Sequence, residues 1–234
     1  MMRFANGLGA GVVGAVVLAA AAAGPADAGL LFSNPGTVAG CGGGCWASGG
    51  DDTSNFRTWD DFVVASDATV TSVTWRGVAY DAAAEFPDLD TLSWDLGFFG
   101  DDGGTPGTEA YTVNLTDAEV SRTVLGTGFV GGRNVNYWEF SATLPVGFDV
   151  AAGATYWFSP FSNQTDYYPV FAWSGSLGGT TYQEDSGGGT YVRTNNRAFT
   201  LSGAVPEPQT WGLMILGFGA AGAALRGRRR VAAA

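Results

Sequence analysis

Between residues 53 and 203 the chain never sustains a helical hydrophobic period. It gives short runs of alternating apolar and polar residues instead, broken by Gly, Asp, Asn and Pro. Ten runs stand out: 61–65, 69–79, 91–99, 111–114, 121–130, 136–144, 155–161, 170–174, 190–193 and 198–202. They are rich in Val, Thr, Tyr, Phe and Trp, whose branched or flat side chains suit a pleated surface. In the second run Val70, Ser72 and Thr74 share one face, and Thr71, Val73 and Trp75 the other. Short strands at near-regular spacing predict an all-β fold, a single antiparallel β-sandwich of jelly-roll-like form over residues 58–203. About 150 residues suffice to bury one core. Trp75, Trp94, Trp138 and Trp157 lie inside runs and are assigned to that core. The Gly-rich stretch 29–57 is assigned to a separate N-terminal segment. The Gly- and Ser-rich stretch 175–190 is expected to be a mobile loop.

Two residue types are missing, and their absence excludes much chemistry. There is no histidine, and all 11 basic residues are arginine. No Ser-His-Asp or Cys-His nucleophile system can be built. No histidine-ligated metal, Schiff-base lysine or P-loop lysine is available. Residues 29–205 hold 20 acidic residues against six arginines, a net charge of −14. Such a body repels nucleic acid and anionic lipid, so neither is expected as a partner.

The two ends read as addresses. Arg3 supplies a positive start, residues 8–23 an apolar run, and Pro25 a break. Ala26 and Ala28 then place small side chains where signal peptidase reads them, so cleavage is expected after Ala28, exposing Gly29. Residues 1–28 are thus expected to form a signal-peptide helix. Val38-Ala39-Gly40-Cys41 imitates a lipoprotein processing box but lies well beyond the apolar run. At the other end, Pro206-Glu207-Pro208 precedes an apolar stretch from Trp211 to Leu225, followed by Arg226, Arg228, Arg229 and Arg230. Each proline holds its predecessor extended, so a helix is expected to begin near Gln209. Fifteen apolar residues span roughly 22 Å at 1.5 Å each, less than the ~30 Å hydrocarbon core. Interfacial Trp211 and snorkelling arginines close much of that gap. The arginines predict a cytoplasmic C-terminus, and the signal peptide predicts an exported body. The two orientations agree.

Residues 204–230 resemble the PEP-CTERM sorting signal of Gram-negative bacteria. The resemblance rests on the Pro206-Glu207-Pro208 triplet, Trp211, Met214, the Gly217-Phe218-Gly219 step and the arginine cluster, in that order. It looks like the alphaproteobacterial variant. It implies recognition by an exosortase-like processing enzyme, transient anchoring of residues 211–225 in the inner membrane, and later release to the surface or outside. It also implies association with exopolysaccharide or biofilm. Asp60-Asp61-Phe62, Val70-x-x-Val73-x-Trp75, residues 98–107 and 151–157 resemble a β-sandwich module found in exported proteins of this kind, which implies a fold and no activity.

Three groups of residues remain for local chemistry. Cys41 and Cys45, with three glycines between them, form a disulfide on the first reading, with free thiols and a redox or metal pair as alternatives. Asp51-Asp52, Asp60-Asp61, Asp88-x-Asp90 and Asp101-Asp102 are the acid/base equipment available to a glycosidase, which needs two carboxylates across a groove. Asp101 and Asp102, before two glycines, are the first candidates for calcium, and otherwise are turn residues. Tyr167, Tyr168 and Trp173, near Asn163 and Gln164, are the candidates for stacking on a glycan. The leading expectation is a non-enzymatic exported protein without a resident cofactor. A glycan-binding module, with calcium as an option, comes second, and a carboxylate glycosidase third.

Overall fold

The computed structural model describes residues 28–36, 41, 44–205, 215–219 and 222. The expected signal-peptide helix, with Ala26, lies outside these residues except for Ala28. So do Pro206, Glu207, Pro208, Trp211 and the four terminal arginines.

Among the described residues fourteen strands follow one another, with a single 3₁₀ turn at Asp117–Glu119. They are β1 (Gly29–Asn34), β2 (Cys45–Ala47), β3 (Gly49–Gly50), β4 (Asn55–Val63), β5 (Ala68–Tyr80), β6 (Thr91–Asp101) and β7 (Pro106–Thr116). Then come β8 (Ser121–Val130), β9 (Arg133–Val150), β10 (Thr155–Gln164), β11 (Val170–Ser174), β12 (Thr180–Asp185), β13 (Thr190–Thr194) and β14 (Phe199–Ala204).

They form two seven-stranded sheets. In the first, β5 is the centre. One of its edges carries β9, which in turn carries β8; the other carries β14 at Thr69–Trp75 and β11 at Gly77–Tyr80. β1 extends the sheet beyond β14, and β2 extends it beyond β11. The second sheet runs β13-β12-β4-β3-β10-β6-β7. Pairing is antiparallel throughout, apart from the two-residue contact of β3 with β10. The fold class is therefore all-β and antiparallel, but fourteen strands exceed the eight of a simple jelly roll.

The core is aromatic because alternation delivers rings from both sheets to one layer. Trp75 of β5 meets Trp94 of β6 with ring centres 5.2 Å apart, and Phe171 of β11 meets Trp94 at 5.0 Å. Phe158 of β10 packs on Trp173 at 5.7 Å and on Phe199 at 5.3 Å. Edge-to-face arrangements recur because they bring a positive ring edge to a negative ring face. Gly77 makes room for this layer, since a Cβ there would lie 2.6 Å from the Ala172 carbonyl. Trp157, next to Phe158, is buried outside the central cluster, and its indole N–H donates to Asp101 at 2.9 Å.

The structure redraws two expected boundaries. Residues 29–57 are no separate segment: β1 pairs with β14, β2 with β11, and β3 with β4 and β10. The stretch 175–190 is not simply a loop, because β12 lies within it and is paired on both sides, by β4 and β13. β9 also runs beyond the expected 136–144. Residues 144–147 bulge opposite Thr71, which gives Pro145 a place where no ladder N–H is needed.

Candidate functional site

The second sheet's β12 and β13 reach toward β2, and between them lies an aromatic cleft. Its construction begins with β2, which is only three residues long and ends the first sheet. The carbonyl at its end is not left open. The Ala47 carbonyl accepts the Thr58 hydroxyl at 2.7 Å and the Gln183 amide at 2.9 Å. Ser48 continues the closure, its hydroxyl donating to the Pro160 carbonyl at 2.6 Å.

Cys41 and Cys45 are joined, their Cα atoms 4.9 Å apart. Gly44 turns the small ring with φ of 98°, a conformation that glycine takes without strain. The ring packs on a small apolar cluster of Val78, Val135, Tyr137 and Ala172. It is also held by Arg197, which is fully buried. The Arg197 guanidinium donates to the carbonyls of Gly44 at 2.9 Å, Trp173 at 3.3 Å, Thr194 at 3.3 Å and Asn195 at 2.8 Å. Nε donates to the Thr181 hydroxyl at 3.2 Å. Burial lowers the Arg197 pKa to about 10, so the cage still holds a cation at neutral pH. Its own backbone N–H donates to Asp60 Oδ2 at 2.7 Å. Asp60 is buried, and its Oδ1 has no hydrogen-bond partner. Burial, with Asp61 adding a like charge, pushes its carboxyl up to about 8.

The cleft has a volume of about 330 Å³. An arc of rings runs along it: Phe56 to Tyr167 at 6.3 Å, Tyr167 to Tyr168 at 4.6 Å, and Tyr168 to Tyr80 at 6.3 Å. Gly131, with φ of 55°, crosses so close to Tyr80 that a Cβ would meet its hydroxyl at 2.6 Å. Arg193 closes the far wall. Its guanidinium lies 4.2 Å from the Trp46 ring centre and 4.7 Å from that of Tyr191. Gln183 fixes it, accepting from Nε at 3.1 Å and Nη2 at 2.9 Å. No carboxylate lines the cleft, and Arg193 forms no ion pair among the described residues. Partial burial raises the Tyr167 pKa, and the neighbouring Tyr168 adds to the shift, so the Tyr167 phenol stays neutral at physiological pH.

The structure therefore brings Tyr167 and Tyr168 together but separates Trp173 from them. Trp173 is fully buried, facing the core, with its indole N–H donating to the Ala198 carbonyl at 3.0 Å. Its ring is not offered to a glycan, which corrects the expectation. Trp46, Tyr80 and Arg193 stand there instead. The alternation of Tyr191 and Arg193 along β13 was the sequence signal for one of them; nothing in the sequence ties Trp46 or Tyr80 to this site.

The sequence pairs of carboxylates are separated, although Asp61 on β4 and Asp101 on β6 come close enough that burial raises the Asp61 pKa and the Asp101 charge adds to the shift. Asp60 and Asp61 are consecutive on β4 and so face opposite sides of the sheet. Asp51 is spent on a local turn, accepting from Ser54 N–H at 2.6 Å. Asp88 pairs with Arg122 at 2.9 Å. Asp101 accepts the Gly104 N–H at 3.1 Å as well as Trp157, and Asp102 N–H donates to the Thr105 carbonyl at 2.9 Å, so both act as turn residues. Among the described residues no group of three His, Cys, Asp or Glu side chains is placed to hold a metal.

The ends of the domain meet elsewhere, at the β1–β14 pair. Gly29, the expected new N-terminus, is the register partner of Gly203. β14 ends at Ala204, where the expected sorting signal begins. Residues 215–219 are helical and exposed. Among the described residues no helix is long and apolar enough to cross a membrane; most of the expected span, 211–225, lies outside them. Comparison with curated proteins gives no match. A protein-family model matches the segment that begins at the last residue of β14, and residues 204–230 of this chain are a PEP-CTERM protein-sorting motif.

Proposed function

We propose that this chain is a non-enzymatic component of the cell surface or extracellular matrix, associated with exopolysaccharide. The sorting motif marks an exported protein that an exosortase processes. On this reading signal peptidase first frees Gly29, residues 211–225 hold the protein in the inner membrane, and cleavage near Pro206–Pro208 releases it. The observation that carries the reading is the fit between motif and fold. The motif begins where the last strand ends, and that strand pairs with the one opening at the expected signal cleavage point. Both processing sites thus leave the sandwich at one place, and neither cut takes a strand away. The missing histidine and lysine support a non-enzymatic role.

Expression in a host that makes exopolysaccharide, cell fractionation and mass spectrometry of both termini test it. A product starting at Gly29, ending near Pro206–Pro208 and found outside the inner membrane is expected. An intact C-terminus retained in the inner membrane overturns release, and sugar turnover on a polysaccharide panel overturns the non-enzymatic role.

A further inference from the structure

We propose that the cleft beside β2 is a binding site for a neutral saccharide unit, with Tyr168 as its stacking platform and Arg193 as its hydrogen-bond donor. This deepens the reading of the domain as an exopolysaccharide-associated component, by giving it a site and a ligand class.

The cleft's own chemistry narrows the ligand. A quaternary ammonium group suits an aromatic cage, but Arg193 stands in the wall and repels cations. A polyanion would meet a body of net charge −14. The Arg193 charge is moreover already set against two ring faces and the Gln183 carbonyl oxygen. A peptide adding itself as a strand needs a free edge, and the Ala47 carbonyl on that edge is taken by Thr58 and Gln183. A sugar ring meets none of these objections. Its C–H face is apolar and slightly positive, matching the negative face of a tyrosine ring. Its hydroxyls accept from a guanidinium, and Nη1 of Arg193 is the donor assigned to them. Tyr168 is 45% exposed and lines the cleft, with the rings of Tyr80 and Tyr167 set edge-to-face with it at 6.3 and 4.6 Å. At about 330 Å³ the space sits at the small end of ligand pockets. The disulfide ring and the Arg197 cage hold the wall before any ligand arrives, which spares ordering entropy on binding.

The test uses the full chain in detergent micelles and titration calorimetry. The probes are tetramers of β-1,4-glucose, α-1,4-glucose, β-1,4-mannose and β-1,4-galactose, a galacturonic acid tetramer, and a proline-rich decapeptide. At least one neutral tetramer is expected to bind, and the acidic one at least tenfold more weakly. Tyr168→Ala is expected to weaken binding tenfold or more and Arg193→Gln several-fold, while Tyr168→Trp retains it. Val146→Ala, at an exposed side chain in the β9 bulge outside the cleft lining, leaves it unchanged. Near-ultraviolet circular dichroism confirms that each variant is folded. No binding by any neutral tetramer overturns the proposal, as does binding that survives Tyr168→Ala or preference for the proline-rich peptide. These outcomes leave the processing of the termini untouched, so failure here is distinguishable from failure of the sorting reading.

Discussion

The buried Asp60 carboxylate accepts the backbone N–H of Arg197 at 2.7 Å, while the Arg197 guanidinium turns to a cage of carbonyls. Acid and base are neighbours that do not form a salt bridge among the described residues. Each is stabilised by backbone groups, and the carboxyl rests in its neutral form.

That arrangement sets a pH dependence. The Asp60 pKa rises from 3.8 to about 8 on folding, so the folded state holds a proton that the unfolded state releases. Stability from this group is fully present below pH 4 and is lost as pH rises toward 8, at up to ~1.4 kcal/mol per pH unit. The exposed Asp51, Glu85, Glu119 and Asp185 have lowered pKa values and act in the opposite sense, losing stability only as the pH falls through their own titration. Thermal melts from pH 5 to 8 are expected to show a falling midpoint. Asp60→Asn flattens that slope and is the more stable form at pH 8; an unchanged slope in the variant rules the assignment out.

Removing the Arg197 side chain strands its acceptors. Arg197→Met fills much of the same volume but leaves the Gly44 and Asn195 carbonyls without their donor. A loss of about 3 kcal/mol is expected, seen as a midpoint lower by roughly 6–12 °C for a domain of this size. A shift below 2 °C in a melt at pH 7 contradicts the role given to the cage.

The disulfide ring is short, so its contribution is local. Replacing Cys41 and Cys45 by Ser is expected to lower stability by at most about 2 kcal/mol on the chain-entropy estimate. Hydrogen exchange is expected to speed up in β2 and over the Val78–Tyr137 cluster that the ring covers, and to stay unchanged at Trp75 and Trp94. Uniform acceleration across both sheets would show that the ring supports the whole core.

Asp101 is read as a structural group in a hairpin. Asp101→Ala is expected to cost about 1–2 kcal/mol through the orphaned Trp157 indole N–H. Millimolar calcium is expected to leave the midpoint of the unaltered protein within 1 °C. A calcium-dependent rise that Asp101→Ala abolishes would reinstate the loop as a metal site.

Alternation made most strands legible. Val73 and Trp75 announced β5 by alternation, although a bulge at Thr71 brings Val70, expected on the other face, into the same core, and Tyr156 to Phe161 announced β10 by aromatic content, being buried on both faces. Short pieces were not legible. β2 and β3 hold three and two residues, too few to show a period. β12 was masked by the glycines around it, although its Thr181 and Gln183 face inward. Periodicity also does not say which face is the core. Trp173 was placed with Tyr168 on sequence proximity, yet the strand turns the indole inward. The cleft itself joins residues 46, 80, 168 and 193, which share no local pattern. The sorting motif was legible because its residues are contiguous in the sequence and need no fold to bring them together.

The pairing of β1 with β14 carries a consequence for the timing of biogenesis. β1 pairs with no other strand among the described residues, and its partner lies some 170 residues later in the chain. A chain threaded outward from its N-terminus thus carries an unzipped first strand through almost the whole of its passage. Non-local pairings of this length form late and slowly. The strand that finally receives it ends where the sorting motif begins. The first sheet can therefore be completed only once the residues just ahead of the motif have emerged, and a processing enzyme that acts at the motif after that pairing meets a finished domain.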